Sequence, residues 1–191
     1  MKREMARKSI HLAMLVIPVA STLLDRPVLL RLIGLLLLVA LAVEVARKLW
    51  PAVNGLFRRL VGGMLRDAEV SEVTGATHLL MASFLSFWLF ELWIAQVAVL
   101  FVIISDGLAA LLGKWMGRHR CCGNKTWEGT AVFLVSAVII VVLHPQCPLP
   151  VGLVGVVAAL GADLFGTRWD DNLTIPLASG LVMQLVSWAS V

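Results

Sequence analysis

Charged residues are scarce in this chain, at 15% of its 191 residues, whereas hydrophobic residues make up 60%. An ordinary soluble domain is roughly 25% charged and about 45 to 50% apolar. The balance therefore excludes a water-soluble globule and predicts an all-α, polytopic membrane protein. Because one helix needs about 20 apolar residues to cross a bilayer, no length remains for a separate soluble domain. We expect residues 1–191 to form a single membrane-embedded domain.

Cysteine is scarce as well. The three cysteines, Cys121, Cys122 and Cys147, are too few and too poorly spaced for a disulfide framework. Adjacent Cys121 and Cys122 also lack the Cys-x-x-Cys spacing of a structural zinc site. Any chemistry must therefore be built from helix ends and short loops.

Seven apolar runs predict about seven transmembrane helices. They cover residues 10–24, 28–46, 76–90, 93–112, 130–143, 150–165 and 173–189. The break at Glu91 is the weakest, since neither Gly nor Pro marks a turn there. With a cytoplasmic N-terminus, fourteen of the sixteen Lys and Arg residues face the cytoplasm, and only Arg26 and Arg31 face outside. This asymmetry requires the break at Glu91 and places the C-terminus outside.

The N-terminal segment also has features of a cleaved signal peptide, because basic residues between Lys2 and Lys8 precede an apolar run. Pro18 and its bulky neighbours make a poor cleavage site, so we favour a retained first helix. Residues 51–72 mix apolar and basic side chains, which is typical of an amphipathic helix lying in the cytoplasmic interface.

Asp106 is an ionisable residue inside a predicted span, where such residues are costly and usually functional. It lies eight residues before Lys114, roughly 12 Å along the helix from the next loop. Ala110 and Gly113 follow on the same face, and small residues let a helix or a ligand approach closely. Two interpretations stay open: a functional carboxylate, and a packing face in which Asp106 pairs with a lysine or arginine.

The loop after this helix combines cations with a helix start. Arg118 and Lys125 supply positive charge, while Asn124 or Thr126 can cap the following helix, whose N-terminus favours anions. These are the parts of a phosphate-binding loop. A positive-inside loop with an ordinary cap, in which Glu128 only favours the helix dipole, explains the same residues equally well.

The last cytoplasmic loop carries Asp163, Asp170 and Asp171. Carboxylates are hard oxygen ligands suited to Mg²⁺. Helix capping by Asp171 or Asn172 is the alternative. Together with Asp106 and the basic loop, these carboxylates predict a metal-dependent nucleotide site on the cytoplasmic face.

Several motifs occur together and in order along the chain. They are RKSIH (7–11), Glu69 with TGAT (74–77), SDGLAALLG (105–113), GRH (117–119), NKTWEG (124–129) and DDNLTIPL (170–177). This set resembles the membrane CTP-dependent lipid kinases, namely dolichol kinase, phytol kinase and yeast-type diacylglycerol kinase. One departure is Asp163, where that family usually has a glutamate. The related phosphatidate cytidylyltransferases share the middle motifs but end in a different signature, which this chain lacks.

The resemblance implies phosphoryl transfer from CTP, or another nucleotide, to the hydroxyl of a membrane lipid alcohol such as a polyprenol, phytol or diacylglycerol. The implied catalytic residues are Asp106, Lys125 and Glu128. The implied nucleotide-binding residues are Gly113, Arg118, Asn124, Lys125 and Thr126. The implied ligands of Mg²⁺ are Asp106, Asp163, Asp170 and Asp171.

The implied partners are CTP, the lipid alcohol and the bilayer. We expect no nucleic-acid partner, and a homo-oligomer stays open. The alternatives are CMP transfer to a phospholipid acid, as in phosphatidate cytidylyltransferases, and a non-enzymatic scaffold or transporter subunit.

Overall fold

The computed structural model describes residues 2–65, 68–70, 72–123, 125–165 and 170–190. Within these ranges the chain is built from helices, as predicted. The ten α-helices of the described residues are α1 (Lys2–Ala13), α2 (Val16–Ala20), α3 (Arg26–Leu49), α4 (Pro51–Val61), α5 (Gly75–Leu89), α6 (Leu92–Leu100), α7 (Gly107–Met116), α8 (Trp127–Leu143), α9 (Leu149–Phe165) and α10 (Asp171–Ala189). A π-helical segment, Phe101–Asp106, joins α6 to α7, and a 3₁₀ turn covers Ala68–Val70.

Each of the seven apolar runs forms helix in the structure. The first run is broken between α1 and α2, and Pro18 explains the break. Proline has no N–H to donate, and its ring clashes with the carbonyl four residues earlier, which here belongs to Met14. That carbonyl accepts instead from the N–H of Ile17, at 2.9 Å.

The helix break at Glu91 is present although no glycine or proline marks it. Arg26 donates to three backbone carbonyls at the end of α5, within residues 87–90, and so satisfies acceptors that a helix C-terminus leaves open. Gln184 of α10 accepts from the backbone N–H of Glu91 and donates to its carboxylate. Side chains from distant elements therefore stabilise this turn.

A short amphipathic helix lies within residues 51–72, as predicted. It is α4, which begins at Pro51 and ends at Val61. Gly62 and Gly63 follow, and glycine costs roughly 1 kcal/mol relative to alanine in a helix.

Within the described ranges, two helices are long and apolar enough to cross a membrane: Arg26–Leu49 and the continuous helix Leu92–Met116. The two helices differ in how much of their surface is buried. The most apolar window of α3 is only 17% buried, and Leu35 and Leu38 are among its exposed side chains, whereas the window of the second helix is 67% buried. Apolar surface on this scale is unfavourable in water and costs nothing against lipid chains. The exposed face of α3 therefore favours a bilayer environment.

The second long helix forms the centre of the molecule. Every residue from 94 to 99 is buried, and α6 contacts α5 and α10. The π-helical segment continues this buried helix and ends at Asp106, which is itself buried. Such wide turns inside α-helices are frequent at functional sites.

Candidate active site

Three carboxylates meet where three helices begin or end. Asp106 closes the π-helical segment, Asp163 lies in the last turn of α9, and Asp171 is the first residue of α10. One ligand oxygen from each lies within 4.8 Å of the others. Asp106 and Asp163 are buried and Asp171 is half-buried. Residues far apart in the chain thus form one acidic cluster.

Two lysines compensate the charge of this cluster. The Nζ atom of Lys125 lies 2.6 Å from Asp163 Oδ1 and 2.8 Å from Asp171 Oδ2. The Nζ atom of Lys8, from α1, donates to Asp106 Oδ2 at 2.6 Å. Uncompensated charges would be very costly at this depth, so the cluster depends on these pairs.

Lys125 keeps its charge firmly. Its partial burial opposes the ammonium form, but the carboxylates of Asp163 and Asp171 outweigh that effect and raise the pKa of Lys125 above its usual value. The side chain is therefore a fixed cation at neutral pH, suited to pairing with phosphate oxygens.

A cavity of about 960 Å³ opens over the cluster. Its charged lining residues include Asp106, Asp163, Asp171 and Lys125. Its apolar lining residues include Ala109 and Ala110 of α7 and Leu164 and Phe165 of α9. The cavity thus offers charged groups and apolar surface side by side, and its volume is at the upper end of the range for small-molecule sites.

Gly113 and Thr126 line the cavity and also bring α7 and α8 together. A Cβ added at Gly113 would lie 3.0 Å from Thr126 Oγ1 and 3.2 Å from Gly129 Cα, which is tighter than most natural contacts. Thr126 caps α8, because its hydroxyl oxygen accepts from the N–H of Gly129 at 3.1 Å. Thr126 is thus an ordinary helix cap, as one interpretation of this loop predicts. It also lines the cavity, as the phosphate-binding interpretation requires.

The structure does not bring Glu128 and Arg118 to the cluster. The Glu128 carboxylate accepts from His119 Nδ1 at 2.8 Å, and neither Glu128 nor Arg118 is among the described residues that line the cavity. Arg118 is exposed. Asn124, expected to bind nucleotide, lies outside the described residues.

Asp170 has a different position from its neighbour Asp171. It is the N-cap of α10, and its Oδ1 accepts from the backbone N–H of Asn172 at 2.9 Å and from the side-chain amide of Asn172 at 2.5 Å. It is not one of the three converging carboxylates. Capping by Asp171 or Asn172 was therefore the wrong assignment, because Asp170 is the cap, whereas Asp171 belongs to the cluster.

Lys8 is the site residue that reasoning from residue types missed. It is 98 positions from its partner Asp106, so no local spacing connects the two. A cationic partner could still be expected on physical grounds, because a buried carboxylate inside a span requires a cation. Arg7 also lines the cavity. The motif RKSIH thus supplies two basic residues to the site.

The donor set of the cluster fits Mg²⁺. All three ligands are carboxylate oxygens, which Mg²⁺ prefers, at bond lengths of about 2.1 Å. Oxygens on one octahedral Mg²⁺ lie about 3.0 to 4.2 Å apart, so three atoms within 4.8 Å of one another would move inward to bind one ion. Asp106, Asp163 and Asp171 could together hold the ion, with Lys125 moving toward a phosphate.

Fold and site together define a helical protein with a charged, lysine-paired cavity beside lipid-compatible helices. The family model described as the cytidylyltransferase family matches residues 3–168, and the chain belongs to that family. The chain is 29% identical over 172 residues to "CTP-dependent diacylglycerol kinase 1" of Saccharomyces cerevisiae, covering 75% of this chain and 59% of the yeast protein. It is 39% identical over 105 residues to "Phytol kinase" of Synechocystis, covering 50% of this chain and 43% of that protein.

A third relative, "CTP-dependent diacylglycerol kinase 1" of Eremothecium gossypii, is 29% identical over 178 residues, covering 76% of this chain and 55% of the relative. The resemblance to CTP-dependent lipid kinases is thereby confirmed. The chain spans about half the length of these curated relatives. No solved structure matches it.

Proposed function

We propose that this chain transfers the γ-phosphoryl group of CTP to the hydroxyl of a membrane lipid alcohol. The observation that carries the proposal is the convergence of Asp106, Asp163, Asp171 and Lys125 in a cavity that is also lined by apolar side chains. The names of the relatives support both the nucleotide and the class of acceptor.

In the proposed reaction the acceptor oxygen attacks the γ-phosphorus, and the bond to the β,γ-bridging oxygen breaks to release CDP. Catalysis of this kind consists mostly of positioning and charge neutralisation. Lys125 lies where it can pair with phosphate oxygens. Asp106, the deepest carboxylate along its helix, orients the acceptor hydroxyl and accepts its proton. Mg²⁺ held by the cluster would offset the negative charge of the nucleotide phosphates.

The apolar lining of the cavity supports a lipid alcohol as the acceptor. Phe165 is 71% exposed, and the short side chains of Ala109 and Ala110 also line the cavity together with Asp106. A lipid head group can enter there while its tail stays among the helices and the bilayer. A water-soluble alcohol would leave these apolar side chains uncovered.

The proposal is tested with the purified chain in vesicles, supplied with Mg²⁺ and CTP labelled in the γ-phosphate. Diacylglycerol, phytol and polyprenols are offered separately, with glycerol as a water-soluble control. We expect label in the lipid phase with at least one lipid alcohol, no labelled glycerol phosphate, and loss of transfer when EDTA removes the metal. Absence of labelled lipid with every acceptor, or transfer that survives EDTA, would contradict the proposal.

We also propose seven spans, with the N-terminus and the site on the cytoplasmic face. The basic-residue asymmetry and the helices that form at the seven apolar runs support this topology. It places Cys121 and Cys122 on the cytoplasmic side and Cys147 on the opposite side.

A membrane-impermeant maleimide tests this topology in right-side-out and inverted vesicles. Cys147→Ser leaves the two loop cysteines, and Cys121→Ser/Cys122→Ser leaves Cys147. We expect the first variant to label only in inverted vesicles and the second only in right-side-out vesicles. Labelling of both variants from the same side would contradict the topology.

CMP transfer to a phospholipid acid is the alternative, because the matching family model is described as the cytidylyltransferase family, but the names of the relatives favour the kinase. The same charged cavity would bind CTP, but the α-phosphorus would be attacked. The two reactions leave different phosphates of CTP in the lipid.

A further inference from the structure

One face of α1 makes two buried contacts with the site. Lys8 and His11 are three residues apart, so their side chains lie on the same side of the helix. Lys8 donates to Asp106, and His11 Nε2 lies 2.6 Å from Asn172 Oδ1. His11 is 3% exposed and Asn172 4%. The helix thus links the π-helical segment to the start of α10.

Groups from three parts of the chain restrict the position of Asn172. Its backbone N–H and its side-chain amide both donate to Asp170 Oδ1, which fixes the orientation of the amide and leaves its Oδ1 to accept from His11. A Cβ added at Gly75 would lie 2.8 Å from Asn172 Nδ2. The start of α5 therefore closes the remaining side.

We propose that His11 is a positioning residue for Asp171. By donating its Nε2–H to Asn172, it fixes the turn of residues 170–172 and so holds the Asp171 carboxylate against Asp163 and Lys125. The hydrogen bonds of His11 among the described residues go to Asn172 and to the backbone carbonyl of Arg7, so His11 acts on Asp171 through Asn172. Residues that orient metal ligands in this way typically affect affinity or activity 10- to 100-fold. The inference rests on the proposed function.

Three substitutions at one position test the hydrogen bond. His11→Gln places an amide N–H near the position of Nε2, His11→Asn places it near Nδ1, and His11→Ala removes it. We expect the Ala and Asn variants to lose about 10- to 100-fold in kcat, with little change in the KM for the lipid acceptor. The Gln variant should recover most of the rate. Leu12→Ala, at an exposed position of the same helix, should match the wild-type protein.

A second measurement needs neither nucleotide nor lipid. Mg²⁺ is titrated against the detergent-solubilised protein, and the rise in Tm is followed. We expect the Ala and Asn variants to need about tenfold more Mg²⁺ for the half-maximal rise, and the Gln variant to resemble the wild type. If wild-type protein phosphorylates no lipid, the proposed function fails while this titration still tests His11. Equal Mg²⁺ midpoints in all variants, or equal losses in Gln and Ala, would overturn the inference.

Discussion

Asp106→Asn is expected to lower the rate of lipid phosphorylation by about a thousandfold, the middle of the range for loss of a general base. Asparagine has nearly the same shape but neither accepts the acceptor's proton nor carries the charge that pairs with Lys8. The side chain also belongs to the carboxylate cluster, so the affinity for Mg²⁺ should fall together with the rate. The measurement is kcat with saturating CTP and lipid alcohol.

Loss of folding has to be separated from loss of chemistry, because Asp106→Asn leaves the buried Lys8 without its carboxylate. The double variant Lys8→Met/Asp106→Asn replaces both charges and should recover much of the Tm while staying inactive. Asp25→Asn, at an exposed aspartate outside the site, should retain wild-type activity. A well-folded Asp106→Asn variant with more than a tenth of the wild-type rate would contradict the role given to Asp106.

Arg47→Ala is expected to destabilise the fold by about 3 kcal/mol, which is typical when one partner of a buried ion pair is removed. Arg47 and Glu44 are 3% and 4% exposed, and their side chains form an ion pair at 2.5 Å. Arg47 also donates to the backbone carbonyls of Val70 and Glu72 and stacks over Phe57 of α4 at 5.0 Å. The substitution therefore removes the link between α3, α4 and the segment before α5.

The contacts of Glu44 increase the loss of stability expected for Arg47→Ala. Its Oε1 accepts from the backbone N–H of Thr74 at 2.9 Å and from the Thr77 hydroxyl at 3.2 Å. Without Arg47, the neutral donors Thr74 and Thr77 would be the hydrogen-bond partners that the described residues leave to this buried carboxylate. The Tm of the detergent-solubilised protein measures the loss, and Arg58→Ala, at an exposed arginine of α4, is the matched control. Equal Tm values for the two variants would show that the buried pair contributes no net stability.

The positions of the helices could be predicted from the sequence because apolar runs report directly on helices that meet lipid or a core. The break at Glu91 followed from the placement of basic residues, although the contacts that stabilise it come from Arg26 and Gln184, far away in the chain. The short amphipathic helix α4 could also be predicted, and its end at Val61 precedes Gly62 and Gly63, which favour helix least among the non-proline residues.

The carboxylates of the site could be predicted from the sequence better than the other site residues, and the reason is geometric. Asp106, Asp163 and Asp171 stand near helix ends that share one side of the predicted topology, so their convergence could be expected. Glu128 stands in the first turn of α8, where sequence spacing does not determine whether a side chain faces the cavity or His119. Lys8 could not be placed at all, because its contact with Asp106 depends on how α1 packs.

The most direct measurement uses two preparations of CTP, one labelled in the α-phosphate and one in the γ-phosphate. Each is incubated with the same vesicles, containing the chain, Mg²⁺, a lipid alcohol and phosphatidic acid. If the chain transfers the γ-phosphoryl group, we expect label in the lipid only from the γ-labelled preparation, together with release of CDP. Label from the α-phosphate in the lipid, together with release of pyrophosphate, would contradict the kinase and assign the chain to CMP transfer.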